Sequence, residues 1–289
     1  MRTVLRYLQA FSLLCGIICF SVAVSAQCKF TTLTIPGAVD STALGVNDSG
    51  AIVGEFDDSA GSHGFLISSG KFFKFRFPGS DSTEAVDINN FGQIVSDFVA
   101  NSGQQHGFVV HNGAFHSISA PGPAGTQTRA EGINNPGDIV GTADSSAGEH
   151  GFLLHNGHFT TIMFPGSSRT MAFGINGFNT IVGTYGDTKG FNHGFMFKGG
   201  KYTAINFPGA DNTSVFRIDN EGDIVGNYEM HGDVHGFTFD KGRFMTQDDP
   251  NASISTIIFD VNSHDRLVGG FIDVNRSNKS FTATCNGVF

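Results

Sequence analysis

The sequence predicts an all-β chain folded as a six-bladed β-propeller. Three observations carry that expectation. A unit of about 43 residues recurs through most of the 289-residue chain, a period in the range of propeller blades. The unit is split between the two ends of the chain. A cysteine stands on each side of the split.

The unit is clearest at Ala130–Gly166, and four landmarks recur in phase. Pro-Gly falls at Pro36-Gly37, Pro78-Gly79, Pro121-Gly122, Pro165-Gly166 and Pro208-Gly209, with Pro250-Asn251 in the sixth place. A short apolar stretch ends at Asn47, Asn89, Asn134, Asn176, Asp219 and Asn262. An I-V-G triplet follows, as at Ile139-Val140-Gly141, with Ser96 in the glycine place of the second unit. Then comes H-G-F, led by His63, His106, His150, His193 and His235, with Lys279-Ser280-Phe281 in the last unit.

Each unit reads as four strands. The first is short, Ala130–Ile133 in the clearest copy. The second carries I-V-G. The third starts at H-G-F. A tight turn such as Asn112-Gly113, Asn156-Gly157 or Gly200-Lys201 leads to the fourth; Asn-Gly between alternating apolar residues is the strongest short hairpin signal. Pro-Gly then ends the unit, and no stretch shows sustained helical periodicity. The 39 glycines and 30 phenylalanines suit many short strands joined by tight turns.

The ends decide between a closed ring and an open array. Cys28–Pro36 aligns with Gly70–Pro78, a fourth strand with nothing before it. The chain finishes just past a third strand. In a ring the N-terminal strand completes the last blade, and closure removes the sheet edges that invite aggregation. Cys28 aligns with the turn glycine Gly70, and Cys285 with Ser69. A Cys28–Cys285 disulfide is therefore expected at the seam. Two tandem β-trefoils, or a β-solenoid, also explain a repeat, but leave the split unit and its cysteines as coincidences.

Residues 1–26 read as a secretory signal peptide: Arg2 and Arg6, an apolar run over 11–24, and Val24-Ser25-Ala26 before Gln27. A retained anchor is the alternative. The remaining 27–289 is expected to be one domain, secreted, extracellular or periplasmic. Cleavage removes two arginines and no acid, taking the net charge from −9 to −11, and leaves Cys28 and Cys285 as the only cysteines. An acidic surface disfavours nucleic acid and anionic lipid as partners. A monomer is expected.

The signature G-I-N-x-x-G-x-I-V-G followed by H-G-F, as at Gly132–Gly141 and His150-Gly151-Phe152, resembles the HAF repeat family of extracellular bacterial repeats. The likeness runs from about Cys28 to Phe289. It implies secretion and a propeller-like fold, and no particular activity.

Chemistry is sought first among the five H-G-F histidines. One per repeat places them in different blades, so they read as structural, bonding turn backbone in their own blade, and not as metal ligands. The recurring phenylalanines read as interblade core. Candidates arise instead where the repeats stop being alike. Two places before the Asn or Asp stand Gly45, Asp87, Gly132, Gly174, Arg217 and Asp260. If this strand is innermost, Arg217 and Asp260 belong to adjacent blades, and Asp87 faces Arg217 across the channel. With Glu131 beside the column, these residues are the candidate ligand-binding channel, the alternative being a structural ion pair.

The loops at Asp57-Asp58, Asp144, Asp187, Glu229–Asp233 and Asp273 offer oxygen ligands without the spacing of a calcium loop. Calcium stays open as a ligand, and no other cofactor is implied. No catalytic motif is visible. The function expected is a binding scaffold for an extracellular protein or polymer, a glycan among them. The alternative is a calcium-dependent hydrolase, lactonase or lyase at the channel mouth. A purely structural surface protein is a third reading.

Overall fold

The computed structural model describes residues 28–80, 82–100, 103–146 and 148–285. The expected signal peptide lies outside them. The described residues form six four-stranded antiparallel sheets and no helix. Blade 1 is Asp40–Val46, Ile52–Asp58, Gly61–Ser68 and Lys71–Phe75, and blade 2 is Asp87–Ile88, Ile94–Val99, Gln105–His111 and Ala114–Ile118. Blade 3 runs from Gln127–Ile133 to His158–Ile162, blade 4 from Arg169–Ile175 to Lys201–Ile205, and blade 5 from Asn212–Ile218 to Arg243–Thr246. Blade 6 has Thr256–Val261, Arg266–Ile272 and Asn278–Thr284, and takes Lys29–Leu33 as its outermost strand. Each innermost strand packs on those of both neighbouring blades, blade 6 on blade 1 included, so the ring is closed.

The seam is built as the alignment of the ends predicts. Lys29–Leu33 runs antiparallel to Asn278–Thr284, with Lys29 opposite Thr284 and Leu33 opposite Ser280. Cys28 and Cys285, both buried, form the disulfide, their Cα atoms 4.2 Å apart. In other blades this place holds a tight turn with two positive-φ residues, such as Asn112 and Gly113 or Asn156 and Gly157. The type I′ geometry of such turns needs residues that tolerate φ > 0.

The core is a set of clusters at the junctions between blades. The valine of I-V-G reaches into the next blade: Val225 of blade 5 packs with Ile258 and Phe281 of blade 6, and Val268 of blade 6 packs with Phe65 of blade 1. The H-G-F phenylalanines Phe65, Phe108, Phe195 and Phe237, and Phe281 in the same place of the last unit, are fully buried. The glycine of I-V-G is dictated by close approach. A Cβ on Gly54 would stand 2.1 Å from the Thr42 carbonyl oxygen, and one on Gly141 2.0 Å from that of Arg129. Blade 2 carries Ser96 there, and its innermost strand is reduced to the two residues Asp87–Ile88, against six or seven in the other blades. The Ser96 hydroxyl is buried without a hydrogen-bond partner.

One expectation changes. The innermost strand is not the short Ala130–Ile133 but Gln127–Ile133, because a β-bulge between Ala130 and Gly132 lets pairing resume beyond it. The same bulge recurs in blades 1, 4, 5 and 6. A bulge leaves one residue unpaired and re-aims its side chain. Leu44, Glu131, Phe173, Phe216 and Phe259 are those residues, and none is fully buried.

Candidate functional site

The central channel has two mouths with Arg217 between them. The first mouth lies at the C-terminal ends of the innermost strands. There each asparagine side chain donates to the main-chain carbonyl of its counterpart in the next blade: Asn262 to Asn47 at 2.9 Å, Asn47 to Asn89 at 3.1 Å, Asn89 to Asn134 at 3.0 Å, Asn134 to Asn176 at 3.2 Å and Asn176 to Asp219 at 2.9 Å. The sixth member is Asp219. Its Oδ1 accepts the N–H groups of Gly222 and Asp223, as the asparagine amide oxygens do in their turns. Its Oδ2, in the place of the donating amide, is buried without a partner. Burial raises the Asp219 carboxyl to about 7; the Asp223 N–H opposes the rise and repulsion from the Asp223 and Glu221 carboxylates adds to it.

Below this ring the structure brings Asp87, Arg217 and Asp260 together, as the ring order of their blades requires. Arg217 Nε stands 3.7 Å from Asp87 Oδ2 and 4.0 Å from Asp260 Oδ1, and all three side chains are buried. The guanidinium donates to four carbonyl oxygens that face the channel: Phe173 at 2.6 Å, Phe216 at 3.1 Å, Val86 at 3.2 Å and Glu131 at 2.7 Å. Asp87 accepts the N–H groups of Ile88 (2.7 Å) and Ile133 (2.8 Å), and Asp260 those of Val261 (2.8 Å) and Val46 (2.7 Å). Three side chains thus tie all six blades. Burial raises the Asp87 carboxyl against the pull of Arg217. It raises that of Asp260 well above the usual range, with repulsion from Asp87 adding to it.

Glu131 lies on the other side of this plug, at the second mouth. Its side chain stands 3.6 Å from Arg129 Nε, and Arg129 in turn pairs with Glu149 at 2.6 Å. Burial, then repulsion from Asp97, pushes the Glu131 carboxyl up to about 7. Glu84 stands at the rim with a face to solvent; desolvation by the surrounding wall and repulsion from Glu55, Asp97 and Glu131 raise it too. All these acids belong to blades 1 to 3. Blades 4 to 6 contribute the half-buried Phe173, Phe216 and Phe259, with ring centroids 5.5 Å apart for the first pair and 5.3 Å for the second. The mouth is therefore divided into an acidic half and an aromatic half.

Sequence reasoning placed Glu131 beside Asp87 and missed the division. The bulge is the reason: it sends the side chain of Glu131 toward the second mouth while Gly132 keeps the column of Asp87. The expectation that the recurring phenylalanines form interblade core fits H-G-F but not the three at the bulge. Their signal was a fixed place three before the Asn or Asp, held by Leu44, Val86 and Glu131 in the first three units and by phenylalanine in the last three.

The five histidines are spread one to a blade. Their hydrogen-bond partners are side chains and not the turn backbone expected. His63 meets Asp58 (3.1 Å) and Arg76 (3.2 Å), His106 meets Ser119 (3.0 Å), His193 meets Asn206 (3.3 Å), and His235 meets Asp248 (2.8 Å). Rings of the second strand pack on them, Phe56 on His63 and Tyr228 on His235 among others. At His150 the facing residue is Ala143, and no such ring is available.

The acidic loops largely cap their own turns. Asp187 Oδ1 accepts the N–H groups of Lys189 and Phe191, and Asp273 Oδ1 those of Asn275 and Ser277. Among the described residues, no group of three or more His, Cys, Asp or Glu side chains is placed to hold a metal ion. Among them, too, no helix is long and apolar enough to cross a membrane.

No known family pattern matches the chain, and no curated protein matches its sequence. Solved structures do resemble it. TolB from Acinetobacter baumannii superposes with a TM-score of 0.54 at 9% identity, over 82% of this chain and 64% of that one. A lectin from Aleuria aurantia in complex with α-methyl-L-fucoside gives 0.52 at 11% identity, over 87% of this chain and 93% of that one. The β-propeller domain of the Trilobed protease from Pyrococcus furiosus, described as having an open velcro topology, gives 0.52 at 12% identity, over 88% and 83%. At such identities the likeness concerns the fold alone.

Proposed function

We propose that this chain is a secreted binding scaffold of the HAF-repeat kind. Its ligand is a segment of an extracellular protein or glycan polymer that carries basic groups beside an apolar or sugar face. The observation that carries the reading is the divided second mouth: carboxylates on blades 1 to 3 face Phe173, Phe216 and Phe259 on blades 4 to 6. A cation gains from the acidic wall, and an apolar or sugar face packs on the aromatic one. The overall negative charge favours approach of a basic partner. The lectin of the same fold, in complex with α-methyl-L-fucoside, supports reading such a ring as a recognition surface.

The test uses immobilised oxidised protein and three probes: a Lys-rich peptide containing Leu and Tyr, chitosan oligomers and neutral dextran. Saturable, salt-sensitive binding of the peptide or of chitosan is expected, lost at least tenfold in Phe216→Ala and weakened in Glu131→Gln. Binding that ignores both substitutions, or no binding of either basic probe, overturns the reading. The calcium-dependent enzyme has no comparable observation behind it.

A further inference from the structure

The first mouth holds a second feature, independent of the site just proposed. The innermost strands end in a fixed register. Asn47 N–H donates to Ala51, Asn176 N–H to Thr180 and Asp219 N–H to Asp223. In an antiparallel ladder the residue before each of these turns its N–H away from the partner strand. In this ring, away means into the channel. Val46, Ile88, Ile133 and Val261 confirm it, since their N–H groups donate to the channel aspartates. Ile175 of blade 4 and Ile218 of blade 5 hold the same register, opposite Ile181 and Ile224.

The six N–H groups thus fall into three pairs. Asp87 bridges the pair from blades 2 and 3, and Asp260 the pair from blades 6 and 1. The third pair, Ile175 and Ile218, would by the same rule be bridged from position 174. That residue is glycine. Beside this gap, the Arg217 side chain is buried at 6% exposure, and its Nε–H, 3.7 Å from Asp87 Oδ2 and 4.0 Å from Asp260 Oδ1, makes no hydrogen bond. The gap opens into the asparagine-lined mouth, a space of about 80 Å³ shared by all six blades, with Asp87, Ile175, Gly177, Arg217, Ile218 and Asp260 among the residues lining it.

We propose that the Ile175 and Ile218 N–H groups, with Arg217, form a binding site for one carboxylate group of a small ligand entering through the asparagine-lined mouth. The molecule carries its own precedent twice, since the other two pairs are each bridged by a carboxylate. Main-chain N–H pairs recognise carboxylates by paired charge-assisted hydrogen bonds. Repulsion from Asp87 and Asp260 is the opposing term. Arg217 offsets it, standing against both aspartates, and burial, which raises both carboxyls, weakens it.

The deciding measurement is a titration of the unmodified oxidised protein, isotope-labelled, with sodium acetate and with sodium formate at constant ionic strength. The Ile175 and Ile218 amide protons are read by NMR, with sodium chloride as the control. A saturable downfield shift of these two amides is expected. Val46, Ile88, Ile133 and Val261, already bonded to aspartate, should move much less. An unmoved pair at 100 mM carboxylate overturns the proposal, and so does an equal response to chloride, which would mark a general anion site. Gly174→Asp adds a second reading: its own carboxylate should shift the two amides and abolish the acetate response. A Cβ at residue 174 would stand 2.7 Å from the Phe216 carbonyl oxygen, so this variant strains the ring and the titration of the natural protein takes precedence.

Discussion

The two mouths of one channel differ in how they use the repeat. At the first, five of six units place the same asparagine, and each donates to the next blade. At the second, units 1 to 3 and units 4 to 6 place different chemistry. The contrast separates two jobs of a repeat fold. Where the units agree, they close the ring. Where they diverge, the ring acquires a surface with a direction, acidic on one side and aromatic on the other. Arg217 belongs to both: it diverges from its counterparts, yet its guanidinium holds four carbonyls of the ring.

The strongest way to break the comparison is at the seam on which both mouths depend. Replacing Cys28 and Cys285 by serine opens a loop spanning 257 positions of sequence. The chain-entropy relation puts the loss at about 5 kcal/mol, and urea unfolding of the double variant against the oxidised parent should show it. A change below about 1 kcal/mol would mean that the strand pairing of Lys29–Leu33 alone holds the ring.

Next in size is the plug. Arg217→Met leaves Asp87 and Asp260 buried without their cation and four carbonyls without a donor. A loss of about 3–5 kcal/mol is expected by the same unfolding experiment. A variant as stable as the parent would show that the aspartates take protons at no cost and that the ring does not need the plug.

The break in the asparagine ring at Asp219 has a pH signature. Its carboxyl is raised in the folded protein to about 7 from 3.8, so the folded state holds its proton where the unfolded chain has lost it. Stability must therefore fall as pH rises between those two values, and the full penalty stands above about 7. Asp223, raised in the same direction and to about 7, adds to that slope. Asp219→Asn supplies the missing donor toward blade 6. It should stabilise by about 1–3 kcal/mol at pH 8, with the gain shrinking toward pH 4. Equal melting curves of variant and parent at pH 8 would show that the sixth link contributes nothing.

The smallest effect concerns the one blade with a shortened innermost strand. Ser96→Gly removes a buried unsatisfied hydroxyl and restores the close approach seen at Gly54 and Gly141. A gain of about 1 kcal/mol is expected, with slower hydrogen exchange over residues 83–86 as the local readout. Loss of stability would mean that the shortened strand is set by something other than the Ser96 side chain.

Much of this architecture was legible in the chain itself. The six blades, the split last blade and the Cys28–Cys285 link follow from landmarks that recur at a constant interval, because a period in sequence becomes a rotation in a ring. The meeting of Asp87, Arg217 and Asp260 was legible for the same reason: blade number fixes which residues face one another. What the tertiary structure alone decided lies one level finer. A β-bulge separates Glu131 from the aspartate column and turns Phe173, Phe216 and Phe259 toward the channel. Alternation of side chains along a strand is a local rule that sequence can supply; a single inserted residue inverts it, and only the pairing with the next strand reveals where. The open N–H pair at Ile175 and Ile218 is further still from the sequence, since main-chain donors carry no residue identity. Its place is known only because two aspartates cap the other pairs and glycine stands where a third would be.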